Sequence, residues 1–489
     1  MGSSPSITYT EKDQASSDWS FVQKFSLRLA VVFFFLLIIP VEKSWYEKLF
    51  ESSSLYDVLF AIAGYRVDLI DVTTESGRWG FASYVSWGFA FIVGVLGATI
   101  WSILARNSKG KDYNKIYYWL RVIVRYRIAI GLIAFGFIKF FPMQMPFPSV
   151  SNLHTDIGDY AAFKLYWQIV GVSYPYQIFI GFLEIAAGAL MFFRPTIVLG
   201  AVINTGVFFN IAHANLGFDG AVHVYSSYFV LLSLFLLIQY LSNIWAVFVD
   251  AKVVKPSYYY PTFKTKNQRI LHLSAKAIFI FLFLFVHGIY RYNRFYNEGI
   301  LKEPVVAGLK GAAGHYQVTS FVVNGDTLKY SPADSVRWHD VAIERYSTLV
   351  YKTNKAIKID LGNGGPSKSD FLKNYEYTGR AGGKTYLYYE IDSAEQVLYL
   401  ANKNKKLSKK LSKSLDKENV LNLKKLYTTP LRDSINILKW SYARPTAGRL
   451  VLSGRDQSKD SITVVLDRLN ETYYTGKEWF MVNNKYRYK

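Results

Sequence analysis

The sequence predicts a polytopic α-helical membrane bundle of about seven transmembrane helices followed by a C-terminal all-β domain of sandwich or barrel type. Three observations carry that reading. Hydrophobic residues make up 51% of the 489 and charged residues only 19%, for a mean hydropathy of +0.10, which is too little charge for an ordinary soluble enzyme. Several apolar stretches approach the roughly 20 residues that a helix needs to cross a bilayer. From residue 291 onward, short β-branched and aromatic runs recur between turn signals. The aromatic content of 17% suits two membrane interfaces lined by amphipathic rings. The absence of cysteine excludes disulfides, Cys-ligated zinc, iron–sulfur clusters and thiolate nucleophiles.

In chain order, residues 1–18 are polar and Ser-rich and read as a disordered tail, because no basic region precedes an apolar run. A two-helix membrane segment follows at 19–116, with spans at 20–40 and 81–104. The loop between them, 41–80, is mixed in charge and reads as an outer loop with an interfacial amphipathic helix. Four spans follow at 117–141, 174–193, 196–214 and 222–249, the third of them interrupted by Asn204, Asn210 and His213. A loop and a seventh span (269–290) occupy 250–295. Lys and Arg concentrate in the segments that lie inside when the N-terminus is inside, whereas the short outer loops at 142–173 and 215–221 hold Lys164 alone. The positive-inside rule then places the tail on the non-cytoplasmic face.

That tail, 296–489, is basic. Of the net charge of +21, 34 Lys/Arg against 20 Asp/Glu lie in residues 291–489. Strands are expected in HYQVTSFVVNG (315–325), STLVYK (347–352), KAIKIDLGNGG (355–365), KTYLYYEI (384–391), QVLYLA (396–401), SINILKWSYA (434–443), GRLVLSG (448–454) and DSITVVLDRL (460–469). Leu407, Leu411 and Leu415 recur every four residues among lysines and predict a basic amphipathic helix at about 404–426. An anionic lipid surface or an acidic protein suits this charge; nucleic acid is not expected outside a membrane.

Polar residues within the spans are the candidate functional groups. Glu184 lies near the middle of its helix, where a carboxylate is costly and can bind a quinone carbonyl, relay a proton or simply bond between helices. Asn204 reaches a similar depth and can bond it. Lys139, Gln144, Asn210, His213, Asn215, Asp219 and His223 gather near the outer face with His287 at comparable depth. They can line a vestibule; as alternatives, paired histidines can hold a haem, or His213, His223 and Asp219 a metal. Their spacing selects neither, so no metal ligand is assigned. Arg125 and Arg127 read as snorkelling toward headgroups, or as partners for an anion or Glu184. The glycines of DLGNGGPSK and GRAGGK read as turn residues, and the β domain shows no hydrolase, zincin or P-loop motif.

The stretches RYRIAIGLIAFGFIKFFPMQMPFPS (125–149) and LYWQIVGVSYPYQIFIGFLEIAAGALMFFRPTIVLGAVINTGVFFNIAHANLGFDGAVHVYSSYFVLLSLFLL (165–237) resemble the DoxX/DoxD-like membrane family. R-Y with G-F-x-K-x-F, the G-x-x-E of Gly181 to Glu184, F-R-P-T-x-x-L-G and N-x-x-F-D follow in order. The resemblance implies a DoxX-like four-helix unit at 117–249 that faces quinone or a partner, with Glu184, Lys139, Asn215 and Asp219 at the matching positions. The overall plan is similar to longer Gram-negative members with a C-terminal periplasmic domain, which implies the bacterial inner membrane. The function expected is an accessory or scaffold subunit of a membrane complex, its bundle able to bind quinone or lipid and its β domain docking a partner protein. A quinone-linked oxidoreductase or other membrane enzyme using Glu184 and the outer polar layer is the alternative, and a transporter the third.

Overall fold

The computed structural model describes residues 19–52, 54–70, 84–106, 112–220, 222–254, 259, 261, 265–405, 407–416 and 421–473. Helices α1 (Phe21–Ile38), α2 (Lys43–Phe50), α3 (Leu55–Ala63), α4 (Val85–Leu104), α5 (Tyr113–Phe140), α6 (Val150–Leu153), α7 (Ala162–Val172), α8 (Tyr174–Leu190), α9 (Ile197–Gly217), α10 (His223–Leu237), α11 (Leu241–Phe248), α12 (Lys266–Ile280) and α13 (His287–Asn293) precede the β domain. Strands β1 (Gly314–Val323), β2 (Asp326–Thr327), β3 (Asp340–Ile343), β4 (Thr348–Lys352), β5 (Lys384–Asp392), β6 (Val397–Asn402), β7 (Ile437–Thr446), β8 (Arg449–Arg455) and β9 (Ser461–Arg468) follow, with α14 (Lys409–Leu415), α15 (Leu423–Tyr427) and α16 (Leu431–Ile435) between β6 and β7. The chain forms two compact units, Met1–Phe137 with Gly181–Tyr290, and Ile138–Ile180 with Arg291–Lys489.

The helical unit is apolar outside as well as inside. Leu132, Ile133, Phe229, Leu232 and Leu236 are fully buried in its core, yet Ile92, Leu96, Ile100 and Ile103 of α4, Phe281 and Phe285 after α12, and Ile289 of α13 stand exposed. Exposed apolar surface of this extent suits contact with lipid or with another apolar surface. Among the described residues, five helical stretches are long and apolar enough to cross a membrane: Phe21–Ile38, Val85–Leu104, Arg194–Gly217, His223–Phe248 and Lys266–Glu298. The stretches at 117–141 and 174–193 differ from the other five. Helix α5 carries Arg121, Arg125, Arg127 and Lys139, and α8 joins α7 through a 97° bend. Helices α5 and α8 approach closely, since a Cβ on Gly188 would stand 2.9 Å from both Ala129 O and Ile133 Cγ1.

The segment expected to hold an interfacial helix, in 41–80, carries two among its described residues: α2 has no buried residue, whereas α3 packs inward. Its Leu59 and Ala63 are buried against Ile130, Ala134 and Phe283. Arg127 explains why the segment holds there, because its guanidinium donates to Ala63 O (2.9 Å), Tyr65 O (2.6 Å) and the Tyr225 hydroxyl (3.3 Å). Carbonyls at a helix C-terminus are short of donors and carry partial negative charge, so a buried cation satisfies them. Arg127 is thus a structural clamp at 4% exposure and does not snorkel.

In the second unit β1 and β3–β9 close an eight-stranded antiparallel barrel through the β1–β9 pairing, and β2 forms a short hairpin with the end of β1. Alternate residues point inward, as the pleat demands. Ile462, Val464 and Leu466 of β9 join Leu450 and Leu452 of β8 and the stacked rings of Trp338, Tyr351 and Trp440 in a filled core. Gly454 is required opposite Trp440, because a Cβ there would meet the indole at 2.3 Å. Strands β5 and β6 are buried on both faces, which is why YLYY and VLYLA lack alternation. Their outer faces lie under Phe371, Leu415, Leu421, Leu423 and Ile435. The expected helix at 404–426 is instead the two short helices α14 and α15, with Leu407 and Leu411 packed on that cluster. KAIKIDLGNGG alternates like a strand but runs as a loop, and β3 takes the ladder position beside β4.

Candidate functional site

The polar residues read from the sequence are spread through the structure. Glu184 is 1% exposed on α8, one turn before Gly188 and so on the same helix face that meets α5. Asn204 is fully buried and committed to α10, where its amide donates to Phe229 O at 3.2 Å and to the Ser233 hydroxyl. Asn210 and His213 are exposed on α9, with the His213 ring against Phe209 and its Nδ1 2.9 Å from Phe209 O. Asn215 donates to Ile211 O at 2.8 Å, and Asp219 takes a left-handed backbone at φ 52°. His223 is buried near Tyr84. His287 is buried among the rings of Tyr56, Phe60 and Phe137. Lys139 is buried and Gln144 half-buried in the second unit.

A denser collection of charge occurs around the β domain, where the sequence shows no motif. Residues 149–164, read as part of an outer loop, pack onto the outside of the barrel. Ala161 N donates to Gly379 O (2.9 Å), Ala381 N donates to Asp159 O (2.7 Å), and Tyr160 bridges Arg380. The loop GRAGGK makes this close approach possible. Gly379, Gly382 and Gly383 all have φ between +68° and +83°, and a Cβ on Gly382 would collide with the Asp159 carboxylate. Lys164 is 1% exposed, its ammonium over the Tyr375 ring at 3.4 Å and bonded to Tyr375 O.

This loop delivers two cations to one cavity. The cavity encloses about 690 Å³ and is lined by Arg380 and Lys384 from GRAGGK, Lys403 and Lys405 after β6, Lys358, one acid (Asp360), and the rings of Phe371, Tyr377 and Tyr386. Five basic side chains and one acid line it, and Glu344 and Glu376 behind them offset part of that positive charge. Lys384 donates to Ser151 O (2.9 Å), His154 O (2.6 Å) and the Thr155 hydroxyl (3.1 Å), carbonyls at the end of α6. Burial, reinforced by neighbouring Arg380, pushes its ammonium down to about 8. Arg380 donates to the Thr155 hydroxyl at 3.0 Å and to Glu376 O, and stands over the Tyr386 ring. Its buried Nε–H has no acceptor among the described residues.

Carboxylates balance the cavity from behind. Glu344 accepts from Val150 N (2.8 Å) and Ser151 N (2.9 Å) at the start of α6, and burial raises it against the pull of those amides. Glu376 accepts from Lys403 at 3.0 Å and is likewise raised by burial. What the arrangement supplies chemically is positive potential, N–H donors and aromatic faces around a space of ligand size.

A second group unites three residues far apart in sequence. His154 follows α6, His315 lies on β1 and Glu471 follows β9. Their ligating atoms all lie within 4.8 Å of one another. Spacing concealed both sites: Glu344 meets residues 193 and 194 positions away, and His315 meets Glu471 at a separation of 156.

No family model matches the chain, and no solved structure matches it. A stretch of 75 residues, 15% of the chain, is 39% identical to the uncharacterized protein YwoB of Bacillus subtilis (strain 168) and covers 49% of it. The chain therefore spans about half the length of this curated relative.

Proposed function

We propose that this chain is a membrane-spanning accessory subunit whose β domain captures an organic anion, a carboxylate or phosphate compound, on the non-cytoplasmic side. The observation that carries the reading is the cavity walled by Arg380, Lys384 and Lys403, with rings to hold an apolar portion and a buried guanidinium N–H to spare. The orientation rests on the Lys/Arg asymmetry of the loops. Its order of polar motifs in 125–237 supports a DoxX-like bundle in a bacterial membrane, where Glu184 on the α5–α8 seam is the position we assign to quinone, lipid or partner contact.

Purification of the full-length protein in mild detergent tests this. Extraction and mass spectrometry are expected to find an anionic molecule bound in stoichiometric amount, and citrate added as a probe should bind saturably and raise the melting temperature. Replacing Arg380 and Lys384 together by Gln should weaken citrate at least tenfold while the chain still folds. Citrate binding that does not saturate, or that is equal in the double variant, overturns the reading.

A further inference from the structure

We propose that His154, His315 and Glu471 form a binding site for a divalent transition-metal ion of the zinc class, separate from the anion cavity. His154 Nε2 lies 2.9 Å from Glu471 Oε2, and His315 Nδ1 lies 3.2 Å from Glu471 Oε1. Two imidazole nitrogens and a carboxylate are the ligand set of many zinc sites, at metal–ligand distances of about 2.0–2.2 Å, which set the ligands about 3.4 Å apart in a tetrahedron. The two imidazole–carboxylate contacts reach that spacing by opening a few tenths of an ångström, and the ligating atoms of all three residues lie within 4.8 Å of one another.

The surroundings also fit a metal site. The far nitrogen of His315, Nε2, lies 3.5 Å from Asp340 Oδ1, a position from which a small approach makes the carboxylate–histidine bond that fixes a ligand's tautomer and turns Nδ1 toward the ion. The Tyr473 hydroxyl is 2.9 Å from both His154 Nε2 and Glu471 Oε2, within reach as a fourth ligand. The two imidazoles stack at 3.7 Å with 20° between their planes. One ring must therefore rotate for both lone pairs to meet a single ion. A bound ion would fasten three segments together: the end of α6, β1 and the chain beyond β9.

The test uses full-length protein in detergent, stripped with a chelator and titrated with Co²⁺ as the probe, followed by visible absorption. One saturable equivalent with the strong bands of a four-coordinate site, displaced by Zn²⁺, is expected. Glu471→Ala and His154→Ala should each weaken cobalt binding at least tenfold. Asp340→Asn, which leaves all three ligands in place, should weaken it about 10- to 100-fold. Circular dichroism reports whether each variant folds, and Glu471→Ala, beyond the last strand, decides if the others do not. A wild-type chain without a saturable equivalent, or unchanged binding in Glu471→Ala, overturns the proposal.

Discussion

The two units stabilise buried charge by different means. In the helical unit Arg127 is held by the carbonyls of Ala63 and Tyr65 and by a tyrosine hydroxyl. In the β unit, charge meets charge: Lys373 lies 2.8 Å from Asp370 with both side chains at 0% exposure, and Lys403 lies 3.0 Å from Glu376. A helix end offers fractional charge already fixed in place, so one cation suffices there. Away from α6, whose carbonyls hold Lys384, the barrel exterior offers no such dipole, and Asp370 and Lys373 need each other plus bonds for the remaining lone pairs. Asp370 meets that condition by accepting from Val305 N (2.7 Å) and Val306 N (2.6 Å), and Lys373 by donating to Gly299 O (3.1 Å).

The strongest way to break this comparison is to remove one member of the pair. Asp370→Ala strands a buried ammonium and two amides, and should cost the β unit about 3–5 kcal/mol. Adding Lys373→Met should recover part of that loss, because an apolar pair needs no compensation. Chemical unfolding followed by tryptophan fluorescence measures both; a single variant within about 1 kcal/mol of the wild type, well under the expected loss, would show that the pair is not what holds this region.

The helical counterpart is smaller. Arg127→Leu takes the guanidinium donor from both carbonyls, but Ala63 O keeps the Tyr225 hydroxyl at 3.5 Å, so the loss falls mainly on Tyr65 O, at about 1–3 kcal/mol. Because those carbonyls end α3, the loss should also appear locally, as faster proteolysis within 41–65. Arg127→Lys, able to reach one carbonyl, should fall between. Equal protection of α3 in all three proteins would remove the clamp from the account.

How much of this was legible in the sequence follows from the range of each interaction. Apolar spans announce themselves because the bilayer requires about 20 residues in succession, and β8 and β9 because one face of each lines the barrel. KAIKIDLGNGG misleads since alternation is necessary for a strand but a ladder partner is also needed. Arg127 reads as a headgroup ligand, because nothing local shows that residues 63 and 65 return to meet it. The anion cavity was illegible for the same reason. GRAGGK looks like a turn, and it is one; only its pairing with residues 159–161 shows that the turn delivers Arg380 and Lys384 to a shared wall.

Lys302 sharpens the comparison most finely, because it is a cation in the β unit held as Arg127 is held, by a carbonyl and aromatic rings. Its ammonium donates to Asn363 O at 3.1 Å and lies 4.5 Å from the Trp167 ring and 5.4 Å from that of Tyr375. Arginine in such a place stays charged, whereas lysine can give up its proton. Burial pushes Lys302 down to about 7, while an unfolded lysine titrates near 10.4. Between those values the unfolded chain binds a proton that the folded chain does not, so stability should rise as pH increases from about 7 toward 10. The gain is modest, since the Lys302 side chain is only partly buried. Melting curves at intervals across that range should climb in the wild type and climb less in Lys302→Met, where the rise that remains above about pH 8 comes from Lys384, which burial also depresses. A wild-type curve that falls over the same interval would mean that the folded state keeps the proton, and that the rings and carbonyl suffice for lysine as carbonyls do for Arg127.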